Sequence, residues 1–336
     1  MTTSGEGEVV GRSRPARIGV VTLTYRRVGD LGQALPGLIA QVEAVPGAEL
    51  VVIDNDVVPS AREVVEQHSL RHRVRYVHEP RPGIAAARNR GLQECLSSDV
   101  VVFVDDDERP NDGWLRLLVD TYTAIPCTGV AGRVVSAFDG PIDPWIEAGR
   151  FFERLRHPTG TRLPVVATNN LLVDAQQVQE WGIAFDERFG LSGGSDTVFA
   201  LEVARAGGSF VWCDEAVVVD VVPPERLTRQ WVLRRAFRSG NTGSRAAVHM
   251  TGSLGARTMT RGRMAARGAV RFGGGAARLL LGTAIRNPAH QARGARTAAR
   301  GAGMLAGAFG MTYSEYKRPS ASDAATLPVS SVSGST

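Results

Sequence analysis

The stretch Val100-Val101-Val102-Phe103-Val104-Asp105-Asp106-Asp107 decides how this sequence is read. Five apolar residues, four of them β-branched, run straight into three carboxylates. A continuous apolar run closed by polar residues reads as a strand buried on both faces. In an open α/β sheet, ligands sit beyond the carboxyl ends of the strands. Three acidic groups would therefore stand at the ligand-binding edge of a central strand. There they repel one another unless a cation or hydrogen-bond donors compensate. Hard oxygen ligands at a rigid strand end suit Mg2+ or Mn2+ carrying phosphate oxygens. One Asp here would read as a helix cap; three in succession read as a site.

Upstream of this strand the pattern alternates. Residues 17–24 (RIGVVTLT), 49–53 and 74–77 read as buried strands. Helical stretches fall at 31–45, 61–68 and 83–96, with Pro36 expected in the first turn of the first helix or at a bend in it. A βαβαβαβ order with short connections implies a largely parallel sheet with helices on both faces. Neither a G-x-G-x-x-G loop nor a P-loop follows the first strand, so the usual dinucleotide and NTPase readings lose their main support. Polar residues gather instead at three strand ends: Thr24 and Tyr25, Asp54 and Asp56, and Asp105 to Asp107. Such convergence on one sheet edge is what a nucleotide site needs.

Four motifs, in this order, resemble those of family 2 glycosyltransferases. Residues 20–27 are similar to the opening strand, and Val52-Ile53-Asp54-Asn55 to the second-strand signature. Residues 82–91 resemble the helix before the DxD strand, and Asp105-Asp106-Asp107 the DxD motif itself. With the later motifs the resemblance covers about residues 17 to 240. It implies an α/β fold of GT-A type, a nucleotide-sugar donor and inverting transfer assisted by Mn2+ or Mg2+. It also implies a donor side of Thr24, Tyr25, Asp54, Arg88, Asp105 and Asp106, with Thr24 and Asp54 at the base and ribose. Asp107, with Asp105, would hold the metal. The residue chemistry agrees. A strand-end carboxylate accepts bonds from a base N–H or a ribose hydroxyl, and a guanidinium offers a planar fork to base or phosphate.

The following half would face the acceptor. Residues 111–123 read as a helix, 130–135 as a strand and 138–164 as an irregular segment able to cover the site. Residues 167–173 resemble the family's acceptor-side strand and bring in Asn169. Phe185 to Asp186, through Gly193-Gly194-Ser195-Asp196, resembles its "FDE…GGED" segment, where Ser195 replaces the usual Glu. Gly193 and Gly194 permit unusual torsions and are expected beside the acceptor. Ser195 is expected to cap a helix over 197–206. Asp196 would lie in its first turn, where the helix dipole favours a carboxylate. By resemblance it is the base that takes the acceptor hydroxyl's proton as that oxygen attacks the anomeric carbon. Residues 210–213 and 216–219 read as two short strands, and Asp220 stands where many relatives carry a His. The helix beginning near Arg226 is only loosely similar to the QxxRW element of processive members. That points to addition of a single sugar, with Arg234 or Arg235 as a candidate diphosphate contact.

Length and composition bound the rest. The 336 residues, 43% of them hydrophobic, fit one large domain with an appendage. Three widely spaced cysteines form neither a metal pattern nor a disulfide framework, as in a reducing cytoplasm. Residues 1–15 lack the apolar core of a signal peptide. They and residues 319–336 are expected to be disordered, around a transferase domain at 16–240 and a basic helical region at 241–318. The net charge of +5 is unevenly spread: between Arg245 and Arg318 the only acid is Glu315. Arginines there punctuate small and apolar residues. The longest charge-free stretch, 301–314, is shorter than the roughly 20 residues a spanning helix needs. Amphipathic helices on an anionic membrane surface follow, with packing on the domain or a homodimer interface as alternatives. Aromatic interleaving for nucleic acid is missing. The expected setting is the inner face of the cell membrane, in cell-envelope or exopolysaccharide synthesis on a glycan or lipid-linked acceptor. A nucleotidyltransferase would instead show a Gly-rich pyrophosphate loop after the first strand. A non-catalytic sugar- or membrane-binding protein would have no need of Asp105, Asp107 and Asp196 together.

Overall fold

A computed structural model describes residues 12–69 and 71–313. Strands β1 (Ile18–Thr24), β2 (Ala48–Asp54), β3 (Val74–His78) and β4 (Val100–Asp105) lie parallel in the order β3-β2-β1-β4. Their alternate residues feed two cores. Val20, Val52 and Val102 pack with α1 (Val28–Glu43), while Val21, Val51 and Val101 pack with α3 (Ile84–Glu94). Helix α2 (Arg62–Ser69) lies between β2 and β3 in sequence. Because α1 starts at Val28, Pro36 sits in its middle and not in its first turn. Burial of Leu31, Leu35, Leu38 and Val42 along one face offsets the missing proline N–H bond. Helix α3 seats closely on β1 through Gly91, where a Cβ would lie 2.6 Å from Val21 Cγ1. This close approach sets Arg88, one turn earlier, near the strand ends.

The chain continues through β5 (Glu108–Pro110), α4 (Trp114–Ala124), β6 (Gly129–Phe138), α5 (Pro144–Gly149), β7 (Arg162–Leu163), β8 (Asn170–Asp174), α6 (Ala175–Glu180), α7 (Ser195–Arg205) and β9 (Phe210–Val222). Past β4 the sheet runs β8-β6-β9-β5 and becomes mixed, with β8 antiparallel to both β4 and β6. The segment 138–164, expected to be irregular, carries α5 and β7. The two short strands expected at 210–219 are one strand, β9, whose register with β6 shifts between Gly132 and Arg133. Strand β8 begins at Asn170, whose amide is structural. It accepts from Trp114 Nε1 at 2.8 Å and donates to the Arg133 and Ala216 carbonyls. Asn169 therefore stands just outside the strand, at the sheet edge.

Three helices follow: α8 (Arg229–His249), α9 (Leu254–Ala284) and α10 (Pro288–Ala308). Helix α8 runs unbroken through residue 240, so the change in composition there coincides with no structural break. Helix α10 lies on α8 at backbone contact distance. A Cβ on Gly303 would sit 1.9 Å from the Phe237 carbonyl oxygen, and one on Gly307 2.4 Å from that of Asn241. Arg296 also donates to the Arg150 carbonyl after α5. Of the segments expected to be disordered, residues 1–11 and 319–336 lie outside the described residues. Residues 12–15 are held in place: Arg12 lies over the Tyr122 ring and bonds the Cys127 carbonyl, and Arg14 pairs with Asp120. If the helical region depends on the Gly303 contact, Gly303→Leu overpacks it at a cost of about 1–3 kcal/mol. The expected result is a lower melting temperature and faster tryptic cleavage after the arginines of α9 and α10, with wild-type cleavage as the contrary result.

Candidate active site

The parallel register carries three strand ends to one level, with Thr24 opposite Asp54 and Leu23 opposite Asp105. Two adjoining compartments open there. The smaller, about 250 Å³, is lined by Thr24, Tyr25, Asn55, Ala87, Asp105 and Asp106. The larger, about 430 Å³, brings together Asp105, Asp107, Glu108, Asn169, Asp196 and Asp220 with Arg88, Arg154, Arg226 and Arg235. Arg27, Ile84 and Asp105 belong to both. Most of the residues expected from the sequence thus meet at one edge. Asp54 does not line either compartment. It is fully buried, and its carboxylate accepts from the Asp56 and Ala61 N–H groups and from the Tyr76 hydroxyl. Asn55, the next residue, faces the smaller compartment in its place.

Arginines hold the acid cluster. Arg27 Nη1 reaches Asp106 at 3.2 Å and Asp107 at 2.9 Å, and Arg226 Nη1 reaches the same Asp107 oxygen at 3.3 Å. Arg154 pairs with Asp220 and bonds the Ser136 hydroxyl. Glu108 is 2% exposed, accepting from Asn169 Nδ2 at 2.8 Å and from the Asp105 N–H at 3.3 Å. Gly193 and Gly194, expected beside the acceptor, line neither compartment; their φ values of +76° and +102° turn the chain into α7. Ser195 is the first residue of that helix and not its cap; Gly194 is the cap. The buried Ser195 hydroxyl accepts from Arg88 Nη1 at 2.9 Å, tying α3 to α7. Asp196 follows in the first turn, with Oδ1 accepting from the Thr197 N–H at 2.7 Å.

Comparison with known proteins agrees with this geometry. The model of glycosyl transferase family 2 matches residues 19–175. The succinoglycan biosynthesis protein ExoM of Rhizobium meliloti (strain 1021) is 34% identical over 232 residues, covering 68% of this chain and 74% of that protein. The chain belongs to glycosyl transferase family 2. This glycosyltransferase is also 28% identical over 186 residues to the pre-mycofactocin glycosyltransferase of Mycobacterium tuberculosis, spanning 52% of its own length but 38% of that relative. Among solved structures it is similar to the mannosyltransferase PcManGT of Pyrobaculum calidifontis, in complex with GDP-Man and Mn2+. The TM-score is 0.58 at 18% identity, covering 87% and 88% of the two chains. GalNAc-T7 with UDP, GalNAc and Mn2+ gives a TM-score of 0.50 at 15% identity, covering 69% of this chain and 51% of that one. The fold is that of GT-A glycosyltransferases.

The electrostatics of the glycosyltransferase site follow from crowding. Burial and the nearby Asp107 carboxylate push Asp105 up to about 6. Burial pushes Asp106 up to about 6 against the pull of Arg27. Glu108, buried and facing Asp105, is raised well above the usual carboxylate range. On the other wall, burial lowers Arg235 to about 9, with Arg154, Arg238 and Arg226 repelling it further. Arg235 lines the cavity, and Arg234, its neighbour, does not. Two Asp oxygens facing one cavity, with substrate phosphates and water to complete the shell, suit a Mg2+- or Mn2+-like cation. Among the described residues no group of three or more His, Cys, Asp and Glu is placed to hold a metal ion by itself. Sequence reasoning missed Glu108, the fourth acid of the run, along with Arg27 and Arg154. The hydrogen bond between Arg88 and Ser195 is testable by a double-mutant cycle. Ser195→Ala alone, by leaving a buried guanidinium N–H unpaired, should destabilise the fold by about 1–3 kcal/mol in urea. Adding Arg88→Met should cost less than the sum of the two changes; strict additivity would show that the pair does not interact.

Proposed function

We propose that this family 2 glycosyltransferase moves one sugar from a nucleotide-sugar donor to a hydroxyl of a glycan or lipid-linked acceptor, inverting the anomeric centre. The observation that carries the reading is the sharing of one cavity by Asp105 and Asp107 from the β4 end and Asp196 from the start of α7. The nucleoside would occupy the smaller compartment, against Thr24, Tyr25 and Asn55, and the diphosphate and sugar the larger one. Asp107 and Asp105 would hold a divalent cation, which when bound supplies charge to stabilise the departing diphosphate. Arg226 and Arg235 would add guanidinium contacts to the same phosphates.

Asp196 is the base in this reading. Its Oδ1 is engaged by the Thr197 N–H, while Oδ2 accepts no protein hydrogen bond among the described residues. That oxygen would take the acceptor hydroxyl's proton as the new C–O bond forms on the face opposite the breaking bond to the diphosphate oxygen. Asn169, Gly193 and Gly194 would shape the acceptor side. The ExoM likeness favours a role in exopolysaccharide or cell-envelope synthesis. An acceptor on a lipid would place the enzyme at the inner face of the membrane, held there by its basic helices. No helix among the described residues is long and apolar enough to cross a membrane.

Asp196→Asn is expected to bind nucleoside diphosphate normally and to lose transfer by about 10² or more; turnover at the wild-type rate would move the base elsewhere. Asp107→Asn is expected to keep the melting temperature and to lose the Mn2+ dependence of donor hydrolysis. A variant that hydrolyses donor with unchanged Mn2+ response would remove Asp107 from the metal. Proton NMR of the first product should show an anomeric configuration opposite to that of the donor, and retention would end the inverting mechanism.

A further inference from the structure

Helix α9 presents a face that sugar transfer leaves unexplained. It is 31 residues long, which at 1.5 Å per residue is about 46 Å. Its inner side is set by Gly268, Gly275 and Gly282, all buried against α10. A Cβ on Gly275 would stand 2.3 Å from the Ala298 nitrogen, and one on Gly282 2.5 Å from that of Gln291. At about 3.6 residues per turn, the opposite side holds Met259, Ala266, Val270, Gly273, Ala277 and Leu280, with no charged residue among them. Most of that side is open: Val270 is 76% exposed, Leu280 70% and Met259 65%, while Ala266 and Val270 also border a cavity of about 490 Å³ shared with Ser239, Gly240 and Ser244 of α8. Arg263, Arg267, Arg271 and Arg278 follow along its edge, and residues 245–313 contain no acid.

We propose that this face of α9 lies in the surface of an anionic lipid bilayer, its apolar side among the acyl chains and its arginine edge at the headgroups. The inference rests on the membrane-side setting proposed above and names the surface that makes the contact. A long helix with a charge-free side and a basic edge fits an interface-lying segment. Arginine stems reach outward from such a helix to bring their guanidinium groups to lipid phosphates. Each basic residue near an anionic leaflet adds to the attraction, so a row of four supports peripheral attachment when the apolar side inserts as well. A second copy of the chain fits the face poorly. A two-fold interface would set this arginine edge against itself with no acid to oppose it. The packing of α9 on α10, and of α10 on α8, would then hold the cavity in a fixed attitude to the bilayer.

The test is co-sedimentation of the full chain with vesicles of phosphatidylcholine alone and of phosphatidylcholine with phosphatidylglycerol. The expected result is sedimentation with the anionic vesicles that weakens as salt rises. Val270→Asp with Leu280→Asp, both at exposed positions, should lower it by about 10-fold or more. Absence of wild-type sedimentation, equal sedimentation of the double variant, or equal binding to the neutral vesicles would each overturn the proposal. A wild-type dimer in light scattering that the double variant converts to monomer, with no vesicle binding, would also overturn it, in favour of a second copy. Transfer to a water-soluble acceptor should be the same in both proteins. Its absence in wild type would count against the transferase reading and not against the face of α9.

Discussion

Three carboxyl groups, those of Asp105, Asp107 and Glu108, line one cavity at the C-terminal end of β4. Like charges so placed are tolerated only when their protons are retained or cations face them. Both remedies are visible. Burial and mutual repulsion raise Asp105 and Glu108, and Arg27 and Arg226 converge on Asp107. The arrangement is costly for a structural role, since an apolar strand end would fold at least as well. It would suit a site that takes up a cation bearing phosphates, with Arg27 and Arg226 standing beside the acids.

The surrounding fold reads as the means of bringing other groups to that point. Gly91 lets α3 close on β1, and Arg88 then spans from the strand end to Ser195 at the start of α7. One buried hydrogen bond thus relates α3 to the helix that presents Asp196. Helix α8 supplies the opposite wall. Trp231, Arg235 and Arg238 lie along one side of it and line the cavity. Farther along the same helix, Thr242 lies against Gly194: a Cβ there would meet Thr242 Cγ2 at 2.4 Å. The same helix carries α10, and through it α9. The basic region is therefore joined to the active site by a continuous helix and by glycine contacts at backbone distance.

Much of this was legible in the sequence because its carriers are local. A β-branched run ending in acids marks β4 and the edge it points to. The alternation before it marks β1 to β3, and Gly193-Gly194 ahead of an acid marks the start of α7. What was not legible depends on partners far along the chain. In sequence Asp54 looks suited to a ligand, yet contacts with Tyr76 and Ala61 occupy its carboxylate and Asn55 lines the compartment. Ser195 has the composition of a cap, yet Gly194 takes that position and a guanidinium from 107 residues away claims the hydroxyl. The arginine content after residue 245 suggested a separate appendage, whereas small glycine surfaces, invisible to charge counting, dock it on α8.

In the proposed reaction the crowded carboxylates at the end of β4 would bind donor through a divalent cation. This role is tested most directly by calorimetric titration of UDP and GDP into the full chain with Mn2+ and, separately, with EDTA. One of the two nucleotides is expected to bind at least about 10-fold more tightly with the metal, which Asp105 and Asp107 would hold beside the diphosphate. Equal affinity with and without Mn2+ for both nucleotides would contradict it.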